Sequence, residues 1–421
     1  MKRGVECSYK TPGRLGRTPR HRKETIVKPV ATSSSSSSES IEEEAPHVGI
    51  KHLGTSQVLD MFYEILCCFP DIVPISRPEL EQYLNGLQKG EHSPSHELNS
   101  LLFSIRALCE QREGMHEAAE ESVALTLSAL SPIFDNITSF RTVSSYIYLS
   151  MYESGCGRMK SARHYLTFVK FYMQELEQEN NEEKYGELRE LRRVFGMLEL
   201  HCTFGENILV EFKLWPSAFE KYVGMPLPNE LKELLSQDID QNNYKSFLKI
   251  VDLIAQFSSV CSHSQSEFQL KVHEFSFPIV LNGLRLEVLK KSGQEQAQAE
   301  RCAMFITNCT EHELFSLCPP LLIIFMVSAA TLHLEIIKSI ERGERINPVR
   351  MLTYNPEGEA TSVFIDYYSV IQKDQRALQL MNSKFKKVEL FHGELLRELT
   401  NIVHERLRDQ LNVLKGKVNG F

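Results

Sequence analysis

Apolar residues recur at intervals of three and four positions along most of this chain. The first clear run, 58–66, places Val58, Phe62 and Leu66 on one helix face, so folded structure is expected from about Thr55. The same spacing predicts helices at about 77–88, 95–112, 115–130, 139–154, 158–178, 182–204, 229–236, 243–262, 266–291, 294–309, 319–342, 360–383 and 384–418. No run of alternating β-branched residues competes with them. The pattern predicts an all-α fold.

A weak internal repeat indicates how these helices are arranged. The segment 114–119 aligns with 157–162 at an offset of 43 residues, with a Gly first and an Ala last in both copies. Each Gly lies between two predicted helices, and each Ala lets the second helix approach the first closely. Stacked antiparallel helix pairs are built in this way. The repeat predicts helix hairpins packed side by side in a bundle-like solenoid.

The C-terminal helix carries one long apolar stripe. Its members follow spacings of three and four residues: Leu396, Leu399, Val403, Leu407, Leu411 and Leu414. A homodimeric coiled coil would use such a stripe. Docking of the helix onto the body of the same chain is the favoured alternative.

Charge divides the chain into a basic arm and an acidic body. Residues 1–30 carry a net charge of +7, whereas the remaining 391 residues carry −15. Six serines at 33–38 and the glutamates that follow cannot form a core and predict a disordered linker. We therefore expect a basic arm at 1–30, a disordered linker at 31–54 and an all-α domain at 55–421. A nucleic-acid contact would belong to the arm.

The cysteines and the most apolar segment both indicate a buried core. Ten cysteines are scattered without a CxxC pair, which is typical of buried thiols in a reducing compartment. The segment 314–334 is uncharged for 21 residues but contains Pro319 and Pro320. A buried core helix is favoured over a membrane span, and no membrane partner is expected.

A search for catalytic or metal-binding motifs finds little. The chain lacks the nucleotide-binding, zinc-protease and serine-hydrolase motifs, so an enzyme is not expected. The nearest approach to a metal site is the set Cys302, Cys309, His312 and Cys318. Its spacing lacks a tight zinc half-site, and buried thiols beside a capping or surface histidine are the favoured interpretation.

The first 23 residues resemble the end of a fungal-type zinc binuclear cluster, the DNA-binding domain of a transcription factor family. Cys7-Ser-Tyr9 matches the last of the six cysteines of that domain and the aromatic residue after it. The basic linker that follows the cluster is matched by Arg14, Arg17, Arg20, Arg22 and Lys23. The resemblance implies that Cys7 is a zinc ligand in a full-length form and that the basic residues contact DNA phosphates.

Three segments of the body resemble the helical middle homology region of the same family. They are 62–84, the hairpin-like segment 144–177, and 187–204 with its Arg192-Arg193 pair. The resemblance spans about 55–340. It departs from the family pattern at Phe195, where an aromatic pair is expected, and at His201, where an acidic residue is usual. For the arginine pair, bonding to nearby carboxylates is favoured over ligand binding.

The resemblance implies a nuclear transcription regulator with DNA, zinc and co-regulator proteins as partners. The basic run 14–23 holds five Lys/Arg and predicts a nuclear import signal. A helical protein-interaction scaffold, with the same arm used only for nuclear localisation, is the alternative. An all-α enzyme ranks last.

The cysteine spacing also bears on the start of the chain. If Cys7 is the sixth ligand, the fifth lies seven residues earlier, because residues 1–6 fill the six spacer positions. That cysteine would stand immediately before Met1. We therefore expect Met1 to be an internal methionine, the alternative being a true start with a coincidental Cys7.

Overall fold

A computed structural model describes residues 50–418, apart from gaps at 67–71, 92, 135–136, 138, 180–183, 206, 224–225, 227, 259–266 and 355–359. This part of the chain forms one compact unit. It contains fifteen α-helices and a single two-stranded hairpin. The all-α prediction is confirmed. The predicted arm and most of the predicted linker, residues 1–49, lie outside the described residues.

The helices follow the predicted positions closely in the first half of the body. They are α1 (Thr55–Glu64), α2 (Arg77–Gln88), α3 (His96–Arg112), α4 (His116–Leu130), α5 (Phe140–Gly155), α6 (Met159–Glu179) and α7 (Tyr185–Phe204). Ser95 and Ser139 begin α3 and α5, because each hydroxyl accepts a hydrogen bond from a first-turn amide. Successive helices from α3 to α7 pack against one another, as the predicted hairpins require.

The second half continues with eight helices and the hairpin. They are α8 (Ile208–Val223), α9 (Asn229–Ser236), α10 (Tyr244–Ser258), α11 (Glu267–Ser292), α12 (Gln296–Cys309), α13 (Ile323–Glu341), β1 (Val349–Tyr354), β2 (Ala360–Ile365), α14 (Tyr367–Lys384) and α15 (Lys387–Val418). The strands are antiparallel, with Val349 opposite Ile365 and Tyr354 opposite Ala360.

Two hydrophobic cores hold the body together. The first is formed by α1 to α7 around Phe62, Leu101 and Tyr148, whose hydroxyl donates to the carbonyl of Ile72 at 3.0 Å. The second is formed by α8 to α15 around Phe212 and residues from the later helices. Burial of such apolar side chains supplies most of the stabilisation of a helical body.

A seam joins the two cores where the α3–α4 turn meets the end of α14. A Cβ at Gly114 would lie 2.6 Å from the carbonyl oxygen of Ser383. The Arg112 guanidinium of α3 donates to the carbonyl of Leu317, which lies between α12 and α13. The second core therefore meets this turn through backbone carbonyls.

Three elements, β1, β2 and α8, differ from the sequence predictions. The predicted helix 360–383 begins instead with strand β2, and α14 starts only at Tyr367. The strand forms because 360–365 finds a partner at 349–354, which local spacing does not reveal. Helix α8 was not predicted, and it contains Pro216 in its interior, a residue that opposes helix formation.

Helix α13 lies in the second core. By length and composition the segment Pro320–Glu341 could cross a membrane, with a mean hydropathy of 2.0. In the body, however, 67% of that segment's most apolar window is buried. Such burial is typical of a core helix.

The C-terminal helix α15 is divided between docked and exposed turns. Leu396, Leu399 and Val403 are buried in the second core, so docking is confirmed for this part of the stripe. Leu407 and Leu411, further along the same stripe, are 43% and 55% exposed. The turns of α15 that carry Leu407 and Leu411 therefore extend beyond the docked part of the helix.

Candidate functional site

A cleft of about 750 Å³ opens between the two cores. Its described walls come from three separate stretches: the α5–α6 turn and the start of α6 (157–161 and 163), the end of α7 and the start of α8 (201–205, 207 and 210), and Phe391 of α15. Its volume falls within the range of small-molecule sites.

The α5–α6 turn sets the first wall. Gly157 has a φ of +78°, a left-handed conformation that glycine adopts without strain. Arg158 follows at the N-cap position of α6, and its carbonyl accepts from the amide of Ala162. The Arg158 side chain has no acceptor, so it cannot cap the first-turn amides of α6.

Arg158 is held by two carboxylates. Its guanidinium donates to Glu153 and, at 2.8 Å, to Glu120 Oε1. The hydrogen bonds to Glu153 and Glu120 raise the pKa of Arg158 above its ordinary value. The Arg158 guanidinium is therefore paired within the protein, and Arg158 lines the cleft as a fixed side chain.

Two further cations stand on the first turns of α6. Lys160 and Arg163 line the cleft and are exposed. The first turn of α6 contains no acidic residue. Because a helix N-terminus carries partial positive charge, these side chains add to a positive potential at this end of the cleft.

His201 lies in the opposite wall, on α7. The residue is only 6% exposed, and neither ring nitrogen has a hydrogen-bond partner in the described part of the chain. Its Nδ1 lies 3.8 Å from Glu211 Oε2, beyond hydrogen-bond distance. A Cβ at Gly205 would lie 2.5 Å from the same nitrogen, so the backbone packs closely over the ring.

The remainder of the cleft is largely apolar. Met159, Phe204, Val210 and Phe391 line it. The amide of Val210 donates to Asn207 Oδ1 at 3.2 Å, so Asn207 caps the start of α8. The described lining thus combines two exposed cations, an imidazole whose nitrogens are both buried, and an apolar wall.

Cys202 also lines the cleft but is a poor nucleophile. Burial raises the pKa of its thiol to about 11. At neutral pH the thiol therefore stays protonated, whereas reactive cysteines carry a lowered pKa.

The structure does not test the site residues predicted from the sequence. Cys7, Arg14, Arg17, Arg20, Arg22 and Lys23 all lie outside the described residues. The residues that line the cleft were not predicted as a site. Only two features of the sequence pointed to it: Lys160 at the start of a helix, and His201 where the family pattern has an acidic residue. The three walls are far apart along the chain, so the sequence does not bring them together.

The four residues considered as a possible metal site, Cys302, Cys309, His312 and Cys318, have the geometry of buried thiols beside a capping histidine. Burial raises the pKa of Cys309 to about 11 and that of Cys318 to about 12. His312 Nδ1 accepts from the amide of Leu314 at 3.1 Å and stacks on Phe275, so it is a capping residue. Within the described ranges, no group of three or more His, Cys, Asp or Glu is placed to hold a metal.

For the Arg192-Arg193 pair of α7, the favoured interpretation was bonding to nearby carboxylates, and the contact of Arg192 agrees with it. Arg192 donates to Glu177 Oε1 at 2.8 Å, which ties α7 to α6. This is an ion pair between neighbouring helices at the protein surface.

A second polar cluster is buried in the C-terminal core. Asp374 accepts from Thr307 Oγ1 at 2.5 Å and lies 2.7 Å from His333 Nδ1. All three residues are at most 3% exposed. The cluster links α12, α13 and α14, and its burial makes it a structural feature.

No family model, no curated protein and no solved structure matches this chain. The cleft is interpreted from its own geometry.

Proposed function

We propose that this chain is the regulatory part of a nuclear transcription regulator of the zinc-cluster type. Residues 50–418 are its helical regulatory domain, and the basic arm belongs to its DNA-binding region. The observation that carries the proposal is the fold of the three segments that resemble the middle homology region. Their described helical residues fall in α1 and α2, in the α5–α6 hairpin and in α7.

The α5–α6 hairpin supports the proposal in detail. The resemblance implies a helix, a glycine turn and a second helix that packs closely through an alanine. Gly157 takes the left-handed conformation at this turn, and Ala162 is fully buried. Arg192 of the neighbouring α7 contacts Glu177 of α6.

DNA recognition would depend on zinc. A binuclear cluster needs six thiolates, and Cys7 would be the last of them. The others would come from residues upstream of Met1. Arg14, Arg17, Arg20, Arg22 and Lys23 would then follow the DNA phosphates and supply a salt-dependent part of the affinity.

The test is DNA binding by the protein expressed from the upstream-extended reading frame. We expect zinc-dependent, sequence-selective binding that is lost on chelation and in Cys7→Ser. Cys309→Ser, a matched change outside the cluster, should leave binding unchanged. An upstream stop codon without a splice acceptor site would overturn the proposal, as would equal binding by both variants.

A helical interaction scaffold is the second candidate. The aligned α3–α4 and α5–α6 hairpins favour it, because repeated hairpins form extended binding surfaces. Both candidates use the arm for nuclear import. They differ in DNA binding, which the extended protein would show only under the first.

The proposed import signal is tested by removing its positive charge. Replacing Arg17, Arg20, Arg22 and Lys23 with alanine should leave a fluorescently tagged protein largely cytoplasmic, because import receptors recognise clustered basic side chains. Microscopy of Lys249→Ala, a change on α10, provides the control. A nuclear signal that survives the fourfold change would contradict the assignment.

A further inference from the structure

We propose that the β1–β2 hairpin is a dimerisation arm, in which strand β2 pairs with β2 of a second copy of this chain. The two copies of β2 run antiparallel across a twofold axis, so that the two hairpins form one four-stranded sheet. The inference goes beyond the proposed function and does not depend on it. Three properties of the hairpin support the pairing: its rigid base, its open edges and its charge.

The base of the hairpin is fixed to the body. Asn347 Nδ2 donates to Asp366 Oδ1 at 2.8 Å, and the amide of Tyr367 donates to Asn347 Oδ1 at 3.0 Å. One side chain therefore ties the chain before β1 to the chain after β2. Ile365, the last residue of β2, is 8% exposed and belongs to the second core. The hairpin is thus held in a defined direction.

Beyond its base, the hairpin stands away from the helices. Within the described ranges, each strand packs chiefly on the other strand and makes no extensive contact with a helix. Phe364, next to the buried Ile365, is 70% exposed, and Ile346 before β1 is 82% exposed. A two-stranded hairpin by itself is at best marginally stable in water and is normally supported by a third strand or a packed helix. A further strand on β2 would supply that support.

The two outer edges of the hairpin differ in charge and proline content. No third strand occurs in the described part of the chain, so alternate amides and carbonyls of each strand point outward. Proteins that stay monomeric commonly protect such edges with charged residues or proline. Strand β1 contains Arg350 and follows Pro348, whereas β2 reads Ala-Thr-Ser-Val-Phe-Ile and contains neither a charge nor a proline. The edge of β2 is therefore the one suited to pairing.

A second copy of β2 matches this edge. A twofold axis between antiparallel neighbours is perpendicular to the sheet, so residues of the same face are paired and the axis passes through one residue. The longest overlaps centre on Ser362 or Val363. They set Phe364 opposite Ala360 or Ser362 of the second copy, respectively, where its exposed ring gains a cross-strand neighbour. Since β2 is uncharged, no like charges meet within the paired strands.

The antiparallel direction also keeps the two bodies apart. Strand β2 runs toward its own body and ends there at Ile365. In an antiparallel pair the bodies therefore lie at opposite ends of a strand of six residues, about 20 Å long. A parallel pair would bring both bodies to the same end of the sheet. One strand pair is small compared with a standard protein interface, so the dimer should be reversible and depend on concentration.

The experiment is sedimentation velocity of residues 1–421 over a wide range of protein concentration. We expect a monomer–dimer equilibrium that shifts toward the dimer as the concentration rises. Phe364→Glu should weaken dimerisation at least tenfold, because it removes the apolar cross-strand contact and places a charge on the paired face. Since Phe364 is exposed in the single chain, this variant should remain folded, which circular dichroism verifies.

The matched control is Leu411→Glu, the same type of change at an apolar residue of α15 that is 55% exposed. It should leave the dimer unchanged. A dimer lost in Leu411→Glu and kept in Phe364→Glu would assign association to a coiled coil of α15 and overturn the proposal.

Backbone pairing is tested by Ser362→Pro and Val363→Pro. Successive amides of a strand point to opposite edges, so one of these changes removes a donor from the outer edge of β2 and should give a folded monomer. The proposal is also overturned if the unmodified protein stays monomeric at every concentration, if Phe364→Glu and Leu411→Glu act alike, or if both proline variants dimerise normally.

Discussion

At the residue scale, Asp374 has the largest expected effect. Its carboxylate joins Thr307 and His333 in a fully buried cluster. Removing one partner of a buried pair leaves the other unsatisfied, at a cost of about 3–5 kcal/mol. We expect Asp374→Ala to lower the free energy of unfolding by this amount in urea denaturation. Asp374→Asn keeps the shape and most hydrogen bonds, so it should cost clearly less; equal losses would contradict the argument.

Asp366 gives a pH-dependent effect. It caps α14 and accepts from Asn347 and Ser369, both at 2.8 Å. Partial burial alone would raise the pKa of Asp366, but the hydrogen bonds from Asn347, Ser369 and the Tyr368 amide hold it below the ordinary value. The stabilisation is therefore complete above the unfolded pKa of about 3.9 and is lost as the pH falls through the lowered folded pKa.

The corresponding variant is Asp366→Ala. We expect a loss of about 1 kcal/mol at pH 7, which is typical of a removed cap. The difference from the unmodified protein should narrow as denaturation is repeated below the ordinary aspartate pKa. Ser95→Ala removes an uncharged cap, so its cost should not change over that range. A constant cost for Asp366→Ala would show that the carboxylate charge does not matter.

At the element scale, the turn between α3 and α4 is set by close packing. Gly114 and Gly90 both have φ near +70°, but only Gly114 has backbone from another helix against it. Gly90→Ala should cost about 1 kcal/mol from left-handed strain alone. Gly114→Ala should cost at least about 1 kcal/mol more, since its Cβ meets the carbonyl of Ser383. Thermal unfolding of the two variants compares them directly, and equal midpoints would rule out the clash.

The elements differ in how far the sequence predicts them. Helices such as α2 and α9 carry a clear apolar period, and their predicted limits, 77–88 and 229–236, are confirmed. Strand β2 was missed because its stability comes from pairing with β1. Helix α8 was missed because Pro216 disfavours a helix locally. The helix forms because its apolar residues pack against the second core.

The cleft was beyond sequence analysis for a similar reason. Lys160, His201 and Phe391 lie on three helices and meet only after both cores have formed. Periodicity assigns each residue to a helix face but does not say which faces meet. The imidazole was noted only as a departure from a family pattern, and its lack of a partner is a tertiary property.

At the scale of the whole molecule, residues 1–421 should bind DNA without sequence preference. One cysteine of the implied cluster cannot hold two zinc ions, so only phosphate attraction by the arm remains. We expect dissociation constants of about 10⁻⁴–10⁻⁶ M at physiological salt. Fluorescence anisotropy with duplexes of different sequence measures this, and tight binding to one of them would refute it.

The seam between the cores also has a consequence for protein synthesis. Roughly 270 residues separate Gly114 from Ser383, and Leu390 covers Gly157 from the same end of the chain. At about 5–20 residues per second, the early hairpins leave the ribosome many seconds before their covering residues exist. During that interval both turns face water. A nonsense mutation between codons 157 and 383 would make this temporary exposure permanent.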